Sequence, residues 1–501
     1  MANPTKAERP EPVFSGGTLL IFVIAIGLMA LVVQAQVELP PVVLIGLVGG
    51  AALGLFTVGL TRPEVSLLAV AAYMPFSKVL VGDFSGFMTA FNLTNILLIL
   101  VLMGHVFRSM AQRRPLFESS PLNLPAFLFC LLGSFSLVHG VMSGYGEGYG
   151  GAAFIFPLKR WLTPVLLYFI AYNVARDRIT IQRVTIIIMI VVTMAALMAI
   201  KDYIDIGSHT SFEKSRVEGI AGQPNMLGAF FVYYMFLFAG FWTLNWGKGK
   251  YWLLLVPFLL CFRGIQVTFS RGAYLAFAVG ALGLGFFRHK LLWTLMLIGA
   301  VSAVLNPWML PEGIAYRIES TFQKDQVRDI YEESELVNTL DTSAHTRLEI
   351  WGGAIEMIKE HPLQGVGYGA FPYLIRRYVS SVKAIDAHNS YLLIAAEMGI
   401  PTLIVFLWIV AIVFFKTRWL YLRSKDPFYR ALALGWLGGL TGLLAANMFG
   451  SRLHSEEVSS YFWIISGLIM RAIVLEKNNG QGAGGGGRGA RRGAIKPRLA
   501  Q

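Results

Sequence analysis

The chain has 501 residues, of which 55% are hydrophobic and 14% charged, and its formal net charge is +13. Its mean hydropathy is +0.60. Soluble domains carry roughly 45–50% apolar and about 25% charged residues, so this composition excludes a soluble globular protein and points to a bilayer as solvent.

A helix crosses a membrane on about 20 mostly apolar residues. Read in chain order, the candidate spans are 17–33, 41–60, 64–80, 91–107, 124–141, 159–175, 180–200, 225–244, 251–268, 272–287, 291–306, 391–415, 430–448 and 458–475. The weakest is 64–80, which carries Pro75 and Lys78. The expected fold is an all-α polytopic membrane protein of about 12–14 transmembrane helices with a helical periplasmic loop. The first segment lacks a small-residue cleavage site and more spans follow, so it reads as a span and not as a signal peptide. Cys130 and Cys261 fall inside spans, where neither a disulfide nor a metal site is expected.

Short loops rich in Lys and Arg stay in the cytoplasm. The clusters Arg108/Arg113/Arg114, Arg176/Arg178/Arg183, Lys248/Lys250, Arg288/Lys290 and Lys416/Arg418/Arg423/Lys425 share one side if the N-terminus, with Lys6 and Arg9, is cytoplasmic. The tail, with Arg488, Arg491, Arg492, Lys496 and Arg498, then returns to the cytoplasm. The positive charge is thus topology plus attraction to anionic lipid heads, and no nucleic-acid partner is needed. The expected organisation is a cytoplasmic N-terminus at 1–16, spans over 17–306, a long periplasmic catalytic loop at 307–390, C-terminal spans over 391–475, and a basic, disordered cytoplasmic tail at 476–501.

The long loop is amphipathic. His345–His361 places Leu348, Trp351, Ile355 and Ile358 at helical spacing, and Pro362 ends that helix. Gly365, Gly367 and Gly369 alternate in a stretch read as a flexible turn, and Phe371–Val379 reads as a second short helix. Glu332, Glu333 and Glu335 make an acidic stretch, whereas Arg347, Arg376 and Arg377 cluster on and after the helices.

Charges in a membrane span are expensive and therefore functional candidates. Arg271 lies between two spans at their external end, Arg347 begins the first loop helix, and His388 sits at the mouth of the span after the loop. Guanidinium forks bind phosphate oxygens bidentately, and a nearby histidine accepts a proton near neutral pH. Together these catalytic candidates describe transfer from a lipid pyrophosphate. Taken singly, each has a plainer reading: Arg271 as an interfacial snorkelling residue, Arg347 as a helix-surface charge, His388 as a cap. Arg216, Lys159 and Arg160 at external span starts, with Arg376 and Arg377, are substrate-binding candidates whose plain alternative is interfacial anchoring. Arg263 lies deep in a span without an assigned role, and Glu397 is read as a holder of an arginine. Arg452, His454, Glu456 and Glu457 form a last external loop that could line the same cavity. There is no Walker loop, and no external Asp-x-Asp or carboxylate cluster stands out for a metal, so neither ATP hydrolysis nor a metal or other cofactor is expected. Gly365-x-Gly367-x-Gly369 lacks the strand–turn–helix context of a nucleotide site.

At these residues the sequence resembles the O-antigen ligase and polymerase superfamily. The matching pieces are Gly222-Gln223-Pro224-Asn225-Met226-Leu227-Gly228, Ser270-Arg271-Gly272-Ala273, Arg347-Leu348-Glu349-Ile350-Trp351, Pro362 to Gly369, and Ala387-His388-Asn389-Ser390-Tyr391-Leu392 followed by Glu397-Met398-Gly399. They occur in the family's order around one long loop, over roughly 215–400. The resemblance implies a GT-C-like, many-helix glycosyltransferase of the bacterial inner membrane. It moves a glycan from undecaprenyl pyrophosphate to a periplasmic acceptor without a nucleotide sugar or metal. The family's functional Arg, loop Arg and loop His fall on Arg271, Arg347 and His388. The acceptor, which is lipid A-core, another lipid-linked repeat or a protein, stays open. Further predicted spans and the extended tail lean toward a polymerase or exopolysaccharide relative. The competing reading is a lipid-linked glycan transporter or flippase. It expects internal repeats and polar groups at the midplane, whereas here the polar groups gather at one surface and no repeat is evident.

Overall fold

A computed structural model describes residues 56–80, 93–144, 155–207, 216–306, 342–382 and 385–485, together with Gly54 and Trp308. The predicted N-terminal segment 1–16, the span 17–33, most of the span 41–60, the acidic stretch at Glu332–Glu335 and the end of the tail from 486 lie outside the described residues.

The described chain is helical throughout. α1 (Pro63–Tyr73) begins on a proline at its first turn and runs on through a 3-10 turn, Met74–Phe76, to Leu80. It is followed by α2 (Leu93–Ala111), α3 (Asn123–Met142), α4 (Ile155–Val174) and α5 (Arg178–Ile206). Then come α6 (Pro224–Leu244), α7 (Leu255–Val267), α8 (Arg271–Arg288) and α9 (Lys290–Leu305). The loop helices are α10 (Thr342–Glu360) and α11 (Phe371–Tyr378), and α12 (Ser390–Arg423), α13 (Pro427–Ala446) and α14 (Glu456–Gly485) close the chain. Every predicted span from 64–80 onward meets one of these helices.

Among the described residues, eight helices are long and apolar enough to cross a membrane, so the chain is a multi-pass membrane protein. α4 and α8 are of similar length, but Lys159 and Arg160 interrupt the apolar run of α4, and α8 opens on Arg271 and closes on Arg288. α14 extends beyond the predicted end at 475, because Glu476 accepts from the Lys425 backbone N–H at 2.7 Å and Lys477 lies over the Trp419 ring.

α6 is the central post. Phe230, Phe231, Tyr233, Tyr234 and Phe236 are all fully buried, as expected of a helix apolar all round. Lipid tails are as apolar as leucine, so helices in a bilayer associate through close packing and not through the hydrophobic effect. α13 meets α6 through Gly435 and Gly439, one turn apart. A Cβ on Gly435 would come within 2.7 Å of the Leu237 backbone, and one on Gly439 within 2.2 Å of the Tyr233 carbonyl.

The two ends of the bundle differ. At one end, basic residues are tied to carboxylates: Arg108 to Glu64, Arg178 to Asp426, and Arg471 to Glu118. At the other end lie the starts of α6, α8 and α12, the loop helices and the α13–α14 turn.

The loop is stitched into α12. Pro401 has no N–H for the Glu397 carbonyl, and Gly399, at φ 80°, turns the Ile400 N–H away from Ala396 and toward the Pro362 carbonyl at 2.8 Å. The freed carbonyls of Ala396 and Glu397 accept instead from the Val366 and Gly367 N–H groups, both at 2.9 Å. The Ser136 hydroxyl adds a bond to the Glu397 carbonyl at 2.7 Å. The glycine stretch read as a flexible turn is therefore a packed seam, with Gly365–Tyr368 buried. Gly365, at φ 67°, admits no side chain, since its Cβ would fall 2.2 Å from the Glu397 carbonyl oxygen.

Candidate functional site

Three helix starts and one short turn converge at the loop end. α6 begins at Pro224, whose fixed φ and missing N–H suit the first helical position. The Arg216 guanidinium donates to the Asn225 side chain at 2.9 Å and to the Thr268 carbonyl at 3.0 Å, bridging the starts of α6 and α8. Arg271 is the first residue of α8, and Phe269 before it takes a left-handed φ of 48°.

α12 begins in the same plane. The Asn389 side chain caps it, accepting from the Tyr391 and Leu392 N–H groups at 2.9 and 3.1 Å. The Ser390 hydroxyl donates to the Asn447 side chain at 2.6 Å and in turn accepts the Arg452 N–H at 3.2 Å. The start of α12 is thereby locked to the turn between α13 and α14. His388, one residue before the cap, is held at φ 50°, which is uncommon for a residue with a side chain. Its N–H donates to the Asp386 carboxylate at 3.3 Å, and its Nδ1 lies 3.6 Å from the same group. The Trp351 indole N–H donates to the Ala387 carbonyl at 3.1 Å, tying α10, and with it Arg347, to this strip.

The charges act on one another. Burial pushes the Arg347 guanidinium below its usual range, and Arg271 and Arg216 push the same way. Burial holds Arg452 down at about 10; Tyr233 and Asp386 oppose that shift, and Arg347 and Arg216 add to it. His388 is pushed below the usual imidazole value, first by burial and then by Arg347 and Arg452, with Asp386 opposing. The structure thus brings Arg216, Arg271, Arg347 and His388 together and adds Arg452 and Asp386. Arg452 is 2% exposed, and its Nε, like that of Arg347, is buried without a hydrogen-bond partner among the described residues. Its other nitrogens bond the Asn225 and Phe449 carbonyls.

Other candidates sit elsewhere. Lys159 and Arg160 act on Glu456, and Arg160 lines a crevice beside the cluster. Arg376 and Arg377 are exposed on the last turn of α11, with Arg377 near Glu360 and Tyr378; neither is among the charges acting on His388, Arg347 or Arg452. Arg263 is exposed, bonded to Gln266 at 3.2 Å and placed over the Tyr203 ring. Among the described residues Glu397 holds no arginine. One carboxylate oxygen accepts from the Phe371 N–H at 3.2 Å, and the other lies 3.6 Å from His454 Nε2.

A cluster of four guanidinium groups, each charged at any working pH, suits a polyanion, and the oriented imidazole beside it suits proton transfer. A family model described as O-antigen ligase matches residues 256–407, from α7 into α12. That stretch contains Arg271, Arg347 and His388 and ends before Arg452. The match supports the resemblance to the O-antigen ligase and polymerase superfamily read from the sequence. No curated protein matches the chain.

Proposed function

We propose, with the O-antigen ligase match as premise, that this protein is a membrane glycosyltransferase. It takes a glycan from undecaprenyl pyrophosphate and transfers it to an acceptor on the periplasmic side of the bacterial inner membrane, with both termini cytoplasmic. The reaction is either polymerisation of O-antigen or exopolysaccharide repeats or ligation to lipid A-core. The observation that carries this reading is the arginine cluster beside His388 at one end of the bundle.

Arg271, Arg347 and Arg216 hold the pyrophosphate, whose negative charge relieves their mutual repulsion. Asp386 faces Nδ1 and so favours the tautomer with its proton there, leaving Nε2 as the base. An acceptor hydroxyl oxygen attacks the anomeric carbon, and its proton passes to His388 Nε2. The bond from the anomeric carbon to the pyrophosphate oxygen breaks, and its electron pair leaves with the lipid pyrophosphate. A direct displacement of this kind inverts the anomeric centre. Leaving-group charge grows as the bond breaks, and fixed guanidinium groups stabilise it without reorganisation, a task performed by metal ions in other transferases.

The depressed His388 value fits this role, since the imidazole is neutral and basic near pH 7. The test uses protein in nanodiscs, an undecaprenyl-pyrophosphate-linked glycan, and lipid A-core or lipid-linked repeat as acceptor. Transfer by wild type, lost in Arg271→Ala and His388→Ala, is the expected result. Movement of the glycan between leaflets with neither acceptor consumed would overturn the reading in favour of a flippase.

A further inference from the structure

α13 is capped at its C-terminal end by Asn447, which is fully buried. Neither charge nor hydropathy marks this residue in the sequence, and it lies beyond the stretch 256–407 that the O-antigen ligase model matches. Its backbone carbonyl, one of those a helix end leaves without an internal partner, accepts the Ser390 N–H at 2.9 Å. That N–H is itself an orphan donor of the start of α12. The Asn447 side-chain oxygen accepts the Ser390 hydroxyl at 2.6 Å. The side-chain nitrogen donates to the Tyr233 hydroxyl of α6 and to the Leu443 carbonyl, both at 2.8 Å. A side-chain amide has one oxygen and two N–H groups to satisfy, and here each has a partner. A buried polar network in that state is rigid and specifies one arrangement.

Buried polar residues commonly join helices in a bilayer, but the partner of this one gives it a second task. Ser390 stands two residues after His388, and its hydroxyl also accepts the Arg452 N–H at 3.2 Å. The Arg452 guanidinium reaches the Asn225 carbonyl, and the Asn225 side chain accepts from Arg216. His388 holds φ 50°, a conformation that persists in a residue with a side chain when its surroundings over-determine it. On one side of His388 the Ala387 carbonyl is held by Trp351. On the other, Ser390 is gripped twice by Asn447.

We infer that Asn447 is a positioning residue of the transferase: through Ser390 it sets His388 and Arg452 in register with each other and with α6. The inference rests on the transferase reading and deepens it. Asn447 reaches no substrate; it acts through the strip that carries the base.

Two variants test this. Asn447→Leu is close in size, deletes both side-chain contacts and leaves the backbone carbonyl. Ser390→Ala removes the hydroxyl and keeps the N–H. Each is expected to lower kcat of the folded protein in nanodiscs about ten- to a hundredfold, the scale of a misplaced reacting group. The KM of donor and of acceptor stays within about threefold of wild type. The double variant matches the more impaired single one, because both break the same bond. Tyr421→Phe is the control. It deletes a bond from the far end of α12 to the Phe287 carbonyl, and lowers melting temperature with kcat unchanged.

A second measurement needs no turnover. His388 is titrated through its reaction with diethyl pyrocarbonate over a pH series, read by peptide mass spectrometry. Burial, then Arg347 and Arg452, hold this imidazole down, and Asp386 opposes them. Loosening Ser390 relaxes the placement of Arg452, so the midpoint moves up in Asn447→Leu and in Ser390→Ala. Adding Asn447→Leu to Arg452→Met moves it no further than Arg452→Met alone. These shifts sustain the placement even if wild type transfers no glycan, in which case the transferase reading alone fails. Should Asn447→Leu fail to insert, Ser390→Ala carries both measurements. A lower melting temperature with kcat and the His388 midpoint unchanged would make Asn447 a joint between helices and overturn the inference, as would raised KM values at constant kcat.

Discussion

Two buried arginines sit at opposite ends of this bundle, and their surroundings differ. Arg471, 4% exposed, donates to the Glu118 carboxylate at 2.6 Å and to the Tyr172 carbonyl at 2.7 Å, and lies over the Tyr172 ring. Arg452, 2% exposed, bonds only neutral carbonyls through its side chain among the described residues, and stands in the field of Arg347 and Arg216 with Asp386 opposing. A buried charge is tolerated when its counter-charge is built in. Arg471 meets that condition from the chain itself. Around Arg452 and Arg347 the acting carboxylate is Asp386, set against Arg216 and Arg271 as well, so this end keeps an excess of positive charge that suits an anion, and the other end reads as scaffold.

Substitutions sharpen this contrast, the largest effects coming first. His388→Ala removes the base, and transfer falls by at least about a hundredfold while the protein still inserts. A comparable rate from this variant in the nanodisc assay would assign the proton to another group. Arg452→Met and Arg471→Met then separate the two ends directly. Arg471→Met leaves Glu118 with only the more distant Arg176 at 3.7 Å and lowers stability by about 3 kcal/mol, read as a fall in melting temperature, with transfer by the folded fraction unchanged. Arg452→Met loses about tenfold in transfer and less in stability, because removing one of several like charges offsets part of the lost bonding.

The pH profile follows. Neutral His388 is the active form and its value lies below the usual 6.5, so the rate falls as pH drops through that lowered value. Arg452→Met removes a positive charge and moves this acid limb up in pH. Asp386→Asn removes a negative one and moves it down. Profiles of kcat/KM that shift in the opposite sense would break the charge argument. The smallest effect belongs to Arg376→Ala and Arg377→Ala, exposed on α11; each leaves transfer within about twofold of wild type.

The spans were legible in the sequence because apolar length is a strong local signal, and α2 to α9 and α12 to α14 lie close to where hydropathy puts them. Arg271 and His388 were legible because each stands out against an apolar background. Arg347 sits in an amphipathic helix whose docking partner, the Ala387 carbonyl met by Trp351, is far away in sequence. The depth of Arg452 was not legible either. Its burial depends on Ser390 and Asn225, which belong to helices that only the fold brings near. The available hint was an arginine in a short turn on the His388 side. Arg376 and Arg377 drew attention through charge alone, and α11 turns them outward. Alternating glycines look like a loose turn in sequence, because the α12 carbonyls they cover come from a segment about thirty residues further on.

That seam bears on biogenesis. Unpaired carbonyls at Ala396 and Glu397 would cost several kcal/mol each in hydrocarbon, and the groups that quench them, Val366 and Gly367, precede α12 in the chain. The bend in α12 therefore cannot mature ahead of the segment translated before it. Maturation of the bend in this helix and folding of residues 361–370 are thereby coupled through two backbone hydrogen bonds.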